Sequence, residues 1–216
     1  DTISFDAALS GQTILLGSIL TLASDVTIDG GGVDITISGQ NAVRVFTINA
    51  GVTAALQGLT IAYGNAGSSY GGGIYNAGTL AVTNNTFSGN NSYLGGAIYS
   101  SGSLMVANST FSDNTATSAG GGIFNESGTL TVLNSTLSGN TATSGGGIYN
   151  WFGTLSYANT IIANSPAGGD CANAGTPGTN THNLVEDGSC GAVLSGDPLL
   201  GALGSYGGST QTFPLL

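Results

Sequence analysis

One phrase returns four times along this chain: Gly-Gly-(Gly/Ala)-Ile, then Gly-(Thr/Ser)-Leu, then Asn-x-(Thr/Ile)-(Phe/Leu/Ile). Its isoleucines are Ile74, Ile98, Ile123 and Ile148, spaced 24, 25 and 25 residues, and its leucines are Leu80, Leu104, Leu130 and Leu155, spaced 24, 26 and 25. A fixed period this short is the mark of a solenoid, in which each unit buries its apolar side only against the next. Within one period the apolar runs are too short for a helix, and Leu80 and Val82 flank Ala81 as Leu130 and Val132 flank Thr131. That alternation places one residue of a strand inward and the next outward. Each unit of about 25 residues therefore predicts three short strands joined by bends, an all-β parallel solenoid whose bore is filled by the isoleucine and leucine columns.

Asparagine marks the bends. Asn76, Asn125 and Asn150 follow the first strand, with Ser100 substituting once. Asn84, Asn108, Asn134 and Asn159 follow the second, and Asn65, Asn90, Asn114, Asn140 and Asn164 the third. Asparagine tolerates left-handed backbone angles, and its amide both donates to and accepts from an identical amide one coil away. The unbroken column Asn84, Asn108, Asn134, Asn159 is accordingly expected to form an amide ladder. Five asparagines, Asn84, Asn90, Asn108, Asn125 and Asn134, also have Ser or Thr two residues on. They are candidate glycan acceptors, an outward amide being required for that chemistry.

The beat extends upstream through Ile61 and Ile37 and downstream through Ile161 and Ile162, and strand-like fragments at 2–5, 13–16, 19–22 and 26–28 supply one or two further coils. Residues 1–216 read as one domain: N-terminal coils over 1–50, regular repeats over 51–165, and an irregular end over 166–216 that holds all four prolines and both cysteines. Cys171 and Cys190 are expected to close a loop there, worth about 3 kcal/mol, two free thiols being the alternative.

The charge excludes several partners. One Arg (Arg44), no Lys and eleven acids leave a net charge of −10, so no basic footprint for nucleic acid or an anionic membrane surface exists. No apolar run of 18 residues is present for direct membrane insertion. Low charge and the repeat type favour export, to the cell surface or beyond.

Wording beyond the period carries a resemblance. Leu-Thr-Ile-Ala at 59–62, Gly-Gly-Asp-Cys at 168–171, Asn-Leu-Val at 183–185, Gly-Ser-Cys-Gly at 188–191 and Asp-Pro-Leu-Leu-Gly at 197–201 join the repeats. In these the chain resembles bacterial secreted and surface right-handed parallel β-helix proteins of the choice-of-anchor type, related to polymorphic outer-membrane protein repeats within the pectin-lyase-like group. The resemblance implies a right-handed β-helix and a surface or secreted location. It implies no activity, because fold kinship with polysaccharide lyases is not a site.

No enzyme is expected. Elimination from acidic sugars needs a strong base beside clustered carboxylates, and glycoside hydrolysis needs two facing carboxylates. Arg44 is solitary, while Asp113 and Glu126 fall on different corners of neighbouring coils. Asp29 and Asp34 bracket Gly30–Gly32 without the repetition of calcium-binding glycine–aspartate motifs, and His182, near Asp187, reads as a loop residue. The glycine runs at 71–73, 120–122 and 145–147 recur with the repeat and lack a following helix, so they are not phosphate loops, and no cofactor is implied. A regular threonine row of the ice-binding kind is broken, since Thr129 and Thr131 correspond to Thr79 and Ala81 and to Ser103 and Met105.

Two features bear on function. Tyr75, Tyr99, Phe124 and Tyr149 form a column beside the isoleucines, expected to face outward, either as a contact surface for sugar rings or a partner, or as a ladder that stiffens the stack. The expected function is an extracellular structural protein, a fibre or surface-coat subunit. It would assemble end to end through two open coil edges, for neither of which the sequence shows a cap. A carbohydrate-binding adhesin is the second reading.

Overall fold

Ile74, Ile98, Ile123 and Ile148 stand side by side on adjacent parallel strands, and so do Leu80, Leu104, Leu130 and Leu155. A computed structural model describes residues 1–208 and 210–216, and in it the chain winds as a parallel β-helix of three long sheets. Sheet A has eight strands, from Thr2–Ser4 to Thr176–Thr181. Sheet B has eight, from Gln12–Leu15 to Leu184–Val185, and sheet C seven, from Leu20–Leu22 to Cys171–Asn173. Each coil contributes one strand to each sheet in the order C, A, B, so every strand finds its backbone partners in the coils before and after it.

The bore is apolar and columnar. Sheet B sends in Ile37, Ile61, Phe87, Phe111, Leu137 and Ile162, all buried, with the Phe87 and Phe111 rings stacked 4.6 Å apart. The leucine column of sheet A and the isoleucine column of sheet C close the other two sides. At about 1.5–3 kcal/mol for each such side chain removed from water, these columns are the main reason the chain folds.

The regular coils carry a fourth wall that the apolar period does not reveal. Strands Asn91–Leu94 and Thr115–Ala119 pair in parallel between sheets B and C, and single bridges extend the wall to Asn65 and Tyr70 on one side and to Thr141 and Ser144 on the other. Its inward residues, Ser92, Ala116 and Ala142, are buried but small, which is why no alternation of large apolar residues marks it. The first glycine of each Gly-Gly-x-Ile phrase turns the chain from this wall into sheet C. Gly120 has φ +65°, and a Cβ there would lie 2.6 Å from the Ile123 carbonyl oxygen, so only glycine fits.

The asparagine columns differ from expectation. Asn84, Asn108, Asn134 and Asn159 all have left-handed backbones, φ 49–56°, but their side chains are exposed, and in this column only Asn159 donates to Asn134, at 3.0 Å. Their contribution is the backbone bend. The buried caps at this corner belong to the next residue: Asn85 Oδ1 accepts from the Leu59 amide, Ser109 and Ser135 cap Asn85 and Ser109 in turn, and Asn183 caps Thr160. His182 is the last member of the left-handed column, with φ 56°. True amide ladders stand at the other two corners. Asn90 donates to Asn114 and Asn114 to Asn140, each at 2.9 Å. Asn125 donates to Asn150 and Asn150 to Asn173, at 2.6 and 2.7 Å. Asn65 and Asn164 lie outside the first of these ladders, the matching positions being Gly64 and Ser165.

The two ends are unlike. At the N-terminal mouth the bore residues Ile3, Ile14 and Leu20 stand 49%, 38% and 38% exposed. The C-terminal mouth is covered, which corrects the expectation of two uncapped edges. Cys171 continues the isoleucine column as the partner of Ile148, and its disulfide to Cys190 draws residues 186–194 across the bore. Cys190 and Ala192 pack on the core, Tyr157 Oη donates to the Cys190 carbonyl, and the Val185 amide donates to Leu194. Asp170 and Asp187 clasp the base of this segment, each backbone amide donating to the other's carboxylate. The last residues return along the outside of sheet B, where the Thr86 hydroxyl donates to Gln211.

Candidate binding groove

The aromatic column points away from the bore and into the angle between sheet C and the fourth wall. Tyr75, Tyr99, Phe124 and Tyr149 pair in strict register, and their rings stack at 5.2, 5.5 and 5.3 Å with planes within 10°. Tyr99 and Phe124, the middle pair, are buried beneath Leu94 and Ala119. The column is thus outward from the bore, as expected, but its centre is not a contact surface. It is a second core between two walls, and only its ends reach solvent.

Aromatic rings from the loops extend the ladder into a groove. Tyr70 stacks on Tyr99 at 4.8 Å and lies 6.4 Å from Tyr93; Trp151 meets Phe124 edge-on at 6.1 Å and stacks on Phe152 at 4.7 Å. Tyr70, Tyr93 and Trp151 are 38%, 44% and 41% exposed. Together with Tyr149 they line a groove of about 390 Å³, to which Ser118, Thr143 and Ser144 add hydroxyls. Thr143 is held by a hydrogen bond from its hydroxyl to the Ser118 carbonyl.

Two charged groups bear on this site. Arg44 lies over the Tyr75 ring, 5.3 Å from its centroid, at the N-terminal end of the ladder. Its guanidinium donates to the Tyr70 and Gly71 carbonyls and to the Thr47 and Ser69 hydroxyls. The lone arginine therefore pins the loop that carries Tyr70. Glu126 faces the Tyr99 hydroxyl; burial first, and this carboxylate second, push the Tyr99 hydroxyl well above the usual tyrosine range.

Other sequence-derived candidates sit apart from the groove. Asn84, Asn108 and Asn134 present exposed amides, whereas Asn90 and Asn125 are fully buried and hydrogen-bonded. Those two are therefore corrected: an enclosed amide cannot carry a glycan in the folded state. Asp29 accepts the Gly31 amide in a turn, and the described residues bring together no group of three or more metal-ligating side chains. Asp113 accepts from Ser112 on the sheet B side, remote in the coil from Glu126. Burial lifts the Asp170 carboxyl above its ordinary value. Asp187 is also pushed up by burial, but hydrogen bonds from Ser189 and from backbone amides outweigh this and hold it below. A larger recess of about 660 Å³ lies on the outer face of sheet A. Its central column runs Thr27, Ala55, Ala81, Met105 and Thr131, a mixture with neither aromatic planes nor a regular hydroxyl lattice.

The groove's walls include the segments that tie the chain to known proteins. Residues 86–101 and 108–126 match the Chlamydia polymorphic membrane protein repeat. In three dimensions this repeat is the path from sheet B through the fourth wall into sheet C, and it carries Tyr93, Leu94 and Tyr99 in one coil and Ala119 and Phe124 in the next. The match supports a surface- or outer-membrane-associated β-helical protein. No curated protein and no solved structure matches the chain. No helix among the described residues is long and apolar enough to cross a membrane.

The sequence column located the ladder but not the groove. Tyr70 and Trp151 lie in inter-strand segments and Tyr93 in the fourth-wall strand Asn91–Leu94, all where the period is loosest, and the only signal for them was the presence of aromatic residues in otherwise small and polar stretches.

Proposed function

We propose that this chain is a non-enzymatic, surface-displayed β-helical module that binds carbohydrate in the groove between sheet C and the fourth wall. The observation that supports this most is the groove itself, where solvent-exposed aromatic rings and serine and threonine hydroxyls share one lining. Sugars have apolar C–H faces and polar edges, and such a mixed lining suits both. The β-helix holds the rings in place before a ligand arrives, so little conformational freedom is lost on binding. The polymorphic membrane protein repeat supports display at a surface.

Trp151 is the only tryptophan of the chain and stands on the groove rim, so its fluorescence reports on occupancy. Titration with a panel of oligosaccharides is expected to shift its emission saturably, and Tyr93→Ala is expected to weaken binding at least 10-fold, about 1.4 kcal/mol, with unchanged melting. Absence of saturable binding in both fluorescence and calorimetry would overturn the reading.

End-to-end assembly into a fibre is the second reading, for which the apolar side chains of Ile3, Ile14 and Leu20, exposed at the N-terminal mouth, would supply the contact. The covered C-terminal mouth opposes a simple head-to-tail contact. Sedimentation of the whole chain over a wide concentration range decides it, a strictly monomeric species counting against assembly.

A further inference from the structure

We infer that the groove takes an uncharged, linear saccharide laid along the helix axis, and that it discriminates against acidic polysaccharides. This rests on the carbohydrate reading above and adds to it the ligand's direction and charge.

The direction follows from register. One side of the groove is the column Tyr70, Leu94, Ala119, Ser144, each residue bridged to the next in the following coil. The other side includes Tyr149, stacked one coil beyond the buried Phe124. From Tyr70 to Ser144 the lining advances three coils, about 14 Å at about 4.8 Å per coil. A groove built from axial columns offers a new side chain at each coil step, and a chain of linked sugar units offers one ring per step of similar length. Successive rings meet successive coils only when the glycan lies parallel to the axis.

The charge preference follows from what the groove lacks. Carboxylate and sulfate groups are held by bidentate arginine or by lysine. The chain has no Lys, and Arg44 is committed to the Tyr70 and Gly71 carbonyls, the Ser69 and Thr47 hydroxyls and the Tyr75 ring. The other charged side chain beside the ladder is Glu126, against Tyr99, and the whole chain carries −10. A polyanion would meet repulsion at long range and no cation at contact. The polar groups available at the groove, on Ser118, Thr143 and Ser144, are hydroxyls, which pair well with the neutral hydroxyls of a sugar.

The test uses the full chain and two probe series of increasing length, neutral β-linked hexose oligomers and uronic acid oligomers, followed by Trp151 fluorescence and by calorimetry. Neutral oligomers are expected to gain affinity up to about three units, the number of coil steps spanned, and then to level off. Uronic acid oligomers are expected to bind at least 10-fold more weakly at low ionic strength, with the gap narrowing as salt is added. Glu126→Gln should narrow it too, with neutral binding retained. Uronic acids binding as tightly as neutral oligomers would overturn the charge preference while leaving the carbohydrate reading intact. An affinity that levels off at a single unit would overturn the axial placement. No binding of either series by either method would overturn both inference and reading.

Discussion

Ser100 is the one break in the column Asn76, Ser100, Asn125, Asn150, Asn173, and the break has a measurable cost. In this ladder each amide donates toward the C-terminal coil: Asn76 to Ser100, Asn125 to Asn150, Asn150 to Asn173. The Ser100 hydroxyl turns instead to the Gly102 carbonyl, and the buried Asn125 Oδ1 has no partner among the described residues. An unsatisfied buried acceptor costs about 1–3 kcal/mol. Ser100→Asn supplies the missing donor on a backbone already shaped for asparagine by its neighbours. It is expected to stabilise the fold by about 1 kcal/mol and to raise the melting temperature by about 2–4 °C; a lower or unchanged melting temperature would count against this account. The columns themselves were legible in the sequence, because a column is a period. Which of two adjacent polar residues turns inward was not. Asn84 and Asn85 are equally polar, and the left-handed backbone at Asn84 is what sends the amide of Asn85 inside.

Among elements, the aromatic ladder behaves as a small core of its own, fastened to sheet C on one side and to the fourth wall on the other. The wall was invisible to pattern because Ser92, Ala116 and Ala142 give no apolar alternation, yet it encloses Tyr99 and Phe124. This enclosure sets the behaviour of the protein in alkali. Burial raises Tyr99, with Glu126 adding to it, and burial raises Tyr157 against an opposing hydrogen bond with Asn180. A group whose folded value lies above its unfolded value gives its full contribution below the unfolded value and loses it as pH climbs toward the folded one. Stability should therefore hold to about pH 10, the ordinary tyrosine value, and fall above it. Tyr99 should ionise only on unfolding, seen as a lag in the phenolate absorbance. Tyr99→Phe should flatten the alkaline loss, and an equally steep loss in that variant would refute the assignment.

Over the whole molecule, the bore was legible because it repeats, and the Cys171–Cys190 disulfide was expected from the two cysteines of the irregular end; the covering of the C-terminal mouth was not legible, because nothing there repeats. Cys171 stands in the isoleucine column, so its disulfide to Cys190 ties the last turn of the core to the segment that covers it. Closing a loop of 19 residues is worth about 3 kcal/mol. Reduction should thus speed amide exchange over 186–194 while exchange in the coils between 53 and 163 stays slow. Uniform acceleration along the chain would show that the cover supports the entire stack. The Arg44 clamp also governs how this protein meets a protease. With one arginine and no lysine, these 216 residues offer trypsin a single bond, Arg44–Val45, whose arginine is tied to the neighbouring coil and whose valine is fully buried. Digestion can begin only when that coil swings open, so the rate at which fragments 1–44 and 45–216 appear is a clock for one local opening. A native sample left long with trypsin should remain a single band, and the first cut, when it comes, should time the release of the loop that carries Tyr70.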